Sequence, residues 1–411
     1  MLWVFGIGNL FLIIILPFQR VFTVEVEAGY DKLFEQLPVL ENTESLGKRW
    51  PRDTPVPFRF EFRIPLPSRH KIRTVLKDIE SKSCIRFLEN PREDLGVPLV
   101  RVINDKTCWS RVGPHFDGPV QNISIPFGCT DSFGVIAHEI LHLLGFEHTQ
   151  SRADRDQHIH IFAPNIKPNE LRQYQKQFSL PSEVYKLPYE LGSVMHYGAY
   201  GNGINQSMPS IIPLDRRYLK TLGQRIRITF LDFVLLNRFY GCYENPDCDD
   251  LVCQNGGVSI FKDTCACFCP DGFSGGFCDE PAKSTTKNPK CSVELKAKPG
   301  WQRHRIRLDS GVRNNGPNLF MPEECWMHIK AAPGTKIELQ FQDFEGKCDR
   351  TCTINGVEIK LDNLEQTGIR DCCKEELKKS RFRSSGELLV LGAFARNNQT
   401  LAAFKYRRVL K

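Results

Sequence analysis

The stretch His138-Glu139-Ile140-Leu141-His142-Leu143-Leu144-Gly145-Phe146-Glu147-His148 decides how this chain is read. On a helix, residues four apart share a face, so His138 and His142 can aim two imidazoles at one ion. Glu139 stands beside the first of them, placed to reach a water molecule at the metal without being a ligand itself. Gly145 permits a sharp turn through a backbone conformation costly for other residues, and returns His148 as a third nitrogen donor. Three protein ligands leave the open position that a catalytic zinc requires. A bare HExxH recurs by chance on buried helices, but the added offsets of Gly145 and His148 count against that reading. The pattern predicts a helix from about Ser132 to Leu144, stopped at Gly145.

Upstream, Phe58-Arg59-Phe60-Glu61-Phe62-Arg63-Ile64 alternates apolar and charged residues and predicts a half-buried strand. Ser68 predicts the cap of a helix whose apolar positions Ile72, Val75, Leu76 and Ile79 fall on one face. Cys84-Ile85-Arg86-Phe87-Leu88, Leu99-Val100-Arg101-Val102-Ile103 and Ile123-Ser124-Ile125 read as further strands. Downstream lies Ser193-Val194-Met195-His196-Tyr197. A lone Met is usually core filling, yet after a three-histidine helix Met195 reads as the Met-turn beneath the metal, the metzincin combination.

These motifs together resemble the astacin family. The resemblance rests on His148-Thr149-Gln150-Ser151-Arg152-Ala153-Asp154-Arg155-Asp156 with Ser193–Tyr197, and covers about 50–243 through Cys84-Ile85-Arg86-Phe87, Leu222-Gly223-Gln224-Arg225 and Phe239-Tyr240-Gly241-Cys242. It implies an α+β metzincin domain with a mixed sheet, a zinc-site helix and an irregular C-terminal subdomain. It implies one Zn2+ per chain held by His138, His142 and His148, Glu139 as general base and then acid, Tyr197 stabilising the oxyanion, and Met195 as a structural residue. Disulfides Cys84–Cys242 and Cys108–Cys129 follow from it as well. His196 is expected to be scaffold. Two departures stand out. The family's usual Glu after the third histidine, which receives the new N-terminus after activation, is Thr149. The prosegment also lacks a good match to the family's metal-blocking aspartate motif, Asp31 being the nearest candidate.

Composition bounds the rest. The 411 residues are 41% hydrophobic and 25% charged, which excludes wholesale disorder. A net charge of +7 without a long Lys/Arg block does not imply nucleic acid. Of 16 cysteines, most follow residue 247, so the back half reads as disulfide-stapled modules in an oxidising compartment. Residues 1–19 are uncharged and carry the run Leu10–Leu16, which predicts a secretory signal peptide, with an uncleaved anchor as the alternative. Residues 20–49 read as a propeptide ending at Lys48-Arg49. Asn122, Asn205 and Asn398 open glycosylation sequons.

The catalytic domain is expected at 50–243. Cys248, Cys253, Cys265, Cys267, Cys269 and Cys278 crowd into a segment too small for a core, resembling an EGF-like module at 244–279. A polar linker at 280–290 leads to 291–411, whose alternating runs suggest an all-β sandwich and resemble a CUB domain. The expected protein is a secreted, extracellular zinc endopeptidase acting on extracellular, including matrix, proteins. The alternative is an inactive matrix-binding or adhesion protein using the EGF-like and CUB modules. Calcium is left open, because the acidic pattern of calcium-binding EGF modules is missing before Cys248.

Overall fold

The computed structural model describes residues 49–177, 186–242, 251–262, 264–285, 288, 291–309, 320–396 and 399–410. The expected signal peptide, nearly all of the propeptide, Cys248 and Asn398 lie outside these residues.

The N-terminal domain is built on a five-stranded sheet of β1 (Val56–Phe60), β2 (Phe87–Glu89), β3 (Leu99–Ile103), β4 (Trp109–Ser110) and β5 (Val120–Ser124), in the order β2-β1-β3-β5-β4. The first four in that order run parallel, and β4 pairs antiparallel along the edge. Helices α1 (Leu66–Lys82) and α2 (Phe133–Leu143) bury their apolar faces with the sheet in one core that holds Phe58, Val100, Ile123, Ile72, Ile79, Ile136 and Ile140.

Two local expectations are corrected. The first strand stops at Phe60 instead of continuing to Ile64, and Phe62 is 80% exposed. The Arg69 guanidinium draws the carbonyls of Glu61, Phe62 and Ile64 into a turn, and Pro65 begins the helix. Ser68 is therefore no cap. It lies within α1, buried, its hydroxyl sharing a hydrogen bond with that of Thr130 at 3.2 Å. Prolines at 65 and 67 fix φ near the helical value and set the start earlier. Ile72, Val75, Leu76 and Ile79 form the buried face as expected.

Beyond α2, among the described residues, the domain carries a short antiparallel pair, β6 (Ile159–Ile161) with β7 (Ile211–Pro213). A third helix, α3 (Phe230–Tyr240), starts from a capping box in which Thr229 and Asp232 exchange side-chain and backbone hydrogen bonds, and ends at Gly241 with φ 64°. Disulfide Cys84–Cys242 ties its end to the end of α1, and Cys108–Cys129 braces the approach to α2.

The small module is a hairpin of β8 (Val258–Lys262) and β9 (Thr264–Phe268) followed by a short pair, β10 (Phe273–Ser274) and β11 (Glu280–Pro281). Disulfides Cys253–Cys267 and Cys269–Cys278 hold it, and Cys265 is also disulfide-bonded. The expected linker does not hang free over its described residues. Ala282 donates to the Gly272 carbonyl, and Thr285 N–H and Ser284 Oγ both donate to the Glu324 carbonyl.

The C-terminal region is a sandwich. One sheet has β12 (Val293–Lys296), β14 (Glu323–Lys330), β16 (Asn355–Lys360), β17 (Ile369–Asp371) and β19 (Leu388–Ala395), in the order β12-β14-β19-β16-β17. The other has β13 (Gln302–Asp309), β15 (Thr335–Glu345), β18 (Arg381–Arg383) and β20 (Gln399–Leu410), in the order β13-β20-β15-β18. Alternate residues such as Ile337, Leu339, Leu389 and Leu391 fill the space between them. Disulfides Cys291–Cys325, Cys348–Cys373 and Cys352–Cys372 complete it.

The three parts form one body. Ile226 of the N-terminal domain is buried in the apolar core of the sandwich. Its neighbour Arg227 reaches Glu358 (3.0 Å) and Glu324 (3.5 Å) of the sandwich and Asp271 (3.9 Å) of the small module. Glu358 is shared with Arg370 at 2.9 Å, and both side chains are essentially inaccessible. Lys220 pairs with Asp371 at 2.7 Å.

Candidate metal centre

Helix α2 delivers His138 and His142 one turn apart, as the i, i+4 spacing requires. The chain then turns at Gly145, whose φ of 99° suits only glycine, and the Phe146 N–H donates back to the Leu141 carbonyl at 3.0 Å. This reversal brings His148 round to the same point. The three Nε2 atoms lie 3.1, 3.1 and 3.2 Å from one another. Tetrahedral ligands about 2.0–2.1 Å from zinc stand roughly 3.3 Å apart, so the triangle has the right size.

Protonation makes the fit chemical as well as geometric. His138 Nδ1 lies 2.8 Å from the Val194 carbonyl, and His142 Nδ1 lies 2.7 Å from the Phe146 carbonyl. A carbonyl only accepts, so each Nδ1 carries the proton and each Nε2 of a neutral ring presents a lone pair. Burial keeps both rings neutral: His142 is pushed down to about 4, and His138 falls well below the usual histidine range, with the Arg225 charge adding to burial. Burial likewise lowers His148, helped by its histidine neighbours. Two lone pairs facing each other at 3.1 Å repel, and a cation between them removes the repulsion. Among the described residues this is the one cluster of three or more side chains arranged to hold a metal.

The Met-turn lies against this triangle. The Val194 carbonyl fixes His138, and the Met195 carbonyl accepts from Thr149 N–H at 3.2 Å, so one turn holds the helix ligand and the residue after the third ligand. Met195 itself is buried in the domain core. Tyr197 lays its ring 4.4 Å from that of His148, its backbone N–H donating to Gln150 Oε1. Burial raises its hydroxyl to about 12, so it stays protonated. His196 is scaffold, as expected. It is fully buried, Nδ1 donates to the Tyr197 carbonyl, and Nε2 accepts from Tyr189 OH at 2.9 Å.

Glu139 is buried on the same helix, and burial raises its carboxyl to about 7 despite the opposing Arg225 charge. Arg225 is a residue that motif spacing did not single out as part of the site. Its guanidinium donates to the His196 and Gln224 carbonyls, and its own carbonyl accepts from Ser132 Oγ (2.9 Å) and Gly134 N–H (3.1 Å) at the start of α2. A Cβ on Gly134 would meet that backbone at 2.4 Å, which is why glycine stands there. Asp232 is the other unforeseen member. It accepts from Ser193 Oγ at 2.6 Å and Val194 N–H at 2.9 Å, locking α3 to the Met-turn. The Thr229-x-x-Asp232 capping pattern was the available sequence signal for it. Behind His148 a cavity is lined by Phe146, Glu147, Thr149, Ser193, Asp232 and Phe239, so carboxylates flank the place where Thr149 stands.

Similarity to known proteins gives the family of the chain. The sequence model for the Astacin peptidase family matches residues 42–241, and that for the CUB domain matches residues 307–407. The chain is similar to zinc metalloproteinase nas-27 of Caenorhabditis elegans, 34% identical over 372 residues, which cover 88% of this chain and 85% of that protein. It is also similar to zinc metalloproteinase nas-28 of the same organism, 28% identical over 368 residues, 88% of this chain and 71% of that one. Among solved structures, high choriolytic enzyme 1, a hatching enzyme zinc-protease from Oryzias latipes, aligns with a TM-score of 0.43 and 28% identity over 49% of this chain and 96% of that chain.

Proposed function

The chain belongs to the astacin family of zinc metalloendopeptidases, and from that premise we propose that His138, His142 and His148 hold its zinc while Glu139 activates the attacking water. The observation that carries the ligand assignment is the convergence of two carbonyl-fixed, neutral imidazoles and a third within 3.2 Å. Zinc bound there supplies a Lewis acid that polarises a scissile carbonyl and acidifies water.

The chain's own groups supply the remainder. Glu139, with a carboxyl near 7, takes a proton from water at its carboxylate and returns it to the leaving amine. Tyr197, protonated and beside His148, donates its hydroxyl to the carbonyl oxygen as charge develops. Arg225 places a buried positive charge behind Glu139 and ties the start of α2 to the turn carrying His196.

The enzyme is secreted, and its substrates are extracellular proteins. Supporting this reading are the apolar leader at 1–19 and the disulfides found in each module. The propeptide ends at Arg49, the catalytic domain spans 50–243, and an EGF-like module at 244–279 and a CUB domain at 291–411 follow. Asn205, exposed in a turn, and Asn122, half-buried on β5, are glycan acceptors together with Asn398.

The test is metal content. Purified full chain should carry about one zinc, chelation should abolish peptidase activity, and His138→Ala with His142→Ala should leave the protein metal-free. Full zinc occupancy in that double variant would overturn the assignment.

A further inference from the structure

The four-stranded sheet of the CUB domain packs one face on the sandwich core and turns the other to solvent, and strand register gathers cations on the outer face. Arg303 on β13 stands opposite Lys405 on β20, Lys405 opposite Gln340 on β15, and Gln340 opposite Arg381 on β18. In the adjacent outward row, Arg407 stands opposite Glu338, and Glu338 opposite Arg383. Arg305 follows Arg303 two residues on, hence on the same side. Arg303, Arg305, Arg381 and Arg383 are all exposed.

Acids on this face are mostly taken. Arg407 holds Glu338 at 2.7 Å, and Lys374 holds Asp343 at 2.7 Å. Glu345 lies apart at the far end of β15, opposite Leu401. Arg303, Arg305 and Arg381 form no ion pair among the described residues. The result is a basic sheet face on which Arg303, Arg305 and Arg381 are not neutralised by described acids.

We propose that this outer sheet face binds a linear sulfated polysaccharide. Strands about 4.8 Å apart spread Arg303, Lys405 and Arg381 over roughly 14 Å, and residues two apart on a strand add about 6.8 Å along it. Such a grid meets several anionic groups of an extended chain at once. Guanidinium forks match the paired oxygens of sulfate, and a sulfate ester stays ionised at any physiological pH. A single-stranded nucleic acid would need open aromatic platforms for its bases. The aromatic ring here, Trp301, is already engaged by Lys405 and Arg407, each 4.4 Å from its centroid. Binding at this face takes part in no step of peptide hydrolysis and needs no zinc.

The experiment uses the full chain and immobilised heparin as the probe, with desulfated heparin as its control. Sulfated probe should bind at least about ten-fold tighter than desulfated, and a log–log salt slope of about 3 should cost roughly 60-fold in affinity for a four-fold rise in salt. Joint Arg303→Ser, Arg305→Ser and Arg381→Ser should lose about ten-fold or more, while Lys77→Ser, Arg92→Ser and Lys106→Ser, with the same charge change on the catalytic domain, should lose less than about two-fold. The matching Arg→Lys triple, which keeps both fold and charge, should stay within about three-fold of the parent. Equal losses in the two Ser triples, equal binding of desulfated probe, or tighter binding to phosphatidylserine vesicles or an oligothymidylate would each overturn the proposal.

Discussion

Arg225 and Arg227 leave one short segment of backbone in opposite directions. Arg225 turns inward to the His196 carbonyl behind Glu139, while Arg227 turns outward to Glu358, Glu324 and Asp271. The same few residues therefore form the back of the catalytic site and the socket of the CUB domain. Removing one partner from a buried charge cluster costs about 3–5 kcal/mol. We expect Arg227→Met to lower the stability of the full chain by roughly 3 kcal/mol in denaturant, with Arg227→Lys recovering part of it. A change below about 0.5 kcal/mol would mean that the cluster is not what joins the domains.

The joint should respond to pH from two sides. Glu190 is buried where it accepts from Gly192 and Thr367 N–H, and burial, reinforced by the Asp232 charge, raises it to about 7. The folded state then holds a proton that the unfolded chain releases near 4.5, so this contribution is present below pH 4.5 and disappears as pH rises through 7. Glu358 behaves oppositely. Burial works against its ionisation, but Arg370 and Arg227 outweigh it and hold the carboxyl at about 2, so its contribution is present above 4.5 and vanishes towards 2. Each amounts to a few kcal/mol. Glu190→Gln should flatten the fall in stability between about pH 5 and 7, measured by urea unfolding, and Glu358→Gln should not.

The proton-transfer role proposed for Glu139 predicts that Glu139→Gln keeps the zinc and cuts turnover by several orders of magnitude. Tyr197→Phe should cost less, about ten- to thousand-fold in kcat, since it removes one of the oxyanion's stabilising groups. Near-normal turnover in Glu139→Gln would leave the water without its base.

Gly145→Ala places a Cβ where φ is 99°, at a cost of about 1–2 kcal/mol or more. That strain falls on the turn presenting His148, so zinc affinity should drop roughly 5–30-fold in a competition titration against a chelator, with α2 intact by circular dichroism. Unchanged affinity would show that His148 reaches the metal by a looser route than the turn implies.

The metal centre was legible in sequence because its parts are local. His138, His142, Gly145 and His148 are separated by offsets that a helix and one turn convert directly into proximity, and Met195 is recognised by its immediate neighbours. The helix over Leu66–Lys82 was legible in its face but not in its start, since Ser68 offered a cap signal while Pro65 and Pro67 fixed the backbone first. Arg225 and Asp232 escaped because their partners, His196 and Ser193, lie 29 and 39 residues away. Arg227 and Glu358 are separated by 131 residues, and no local period marks such a pair. The docking of the linker had no local signal for a related reason: Ser284 and Thr285 are simply polar in sequence, and the carbonyl that they bind belongs to β14, some 40 residues on.

Ile226 sits in the core of a domain to which it does not belong by sequence. The ribosome delivers it long before Phe404, one of the β20 residues in that same core, which emerges roughly 180 residues and, at about 5–20 residues per second, some 10–35 seconds later. For that interval a nascent catalytic domain carries an uncovered apolar residue beside an arginine without its acidic partners, and transiently exposed apolar surface favours aggregation. A message truncated within the last strands would leave the interval without an end. Such a product would contain every residue of the proposed zinc site with its joint left uncovered, so premature stop codons far downstream of that site should lower enzyme yield before they affect enzyme chemistry.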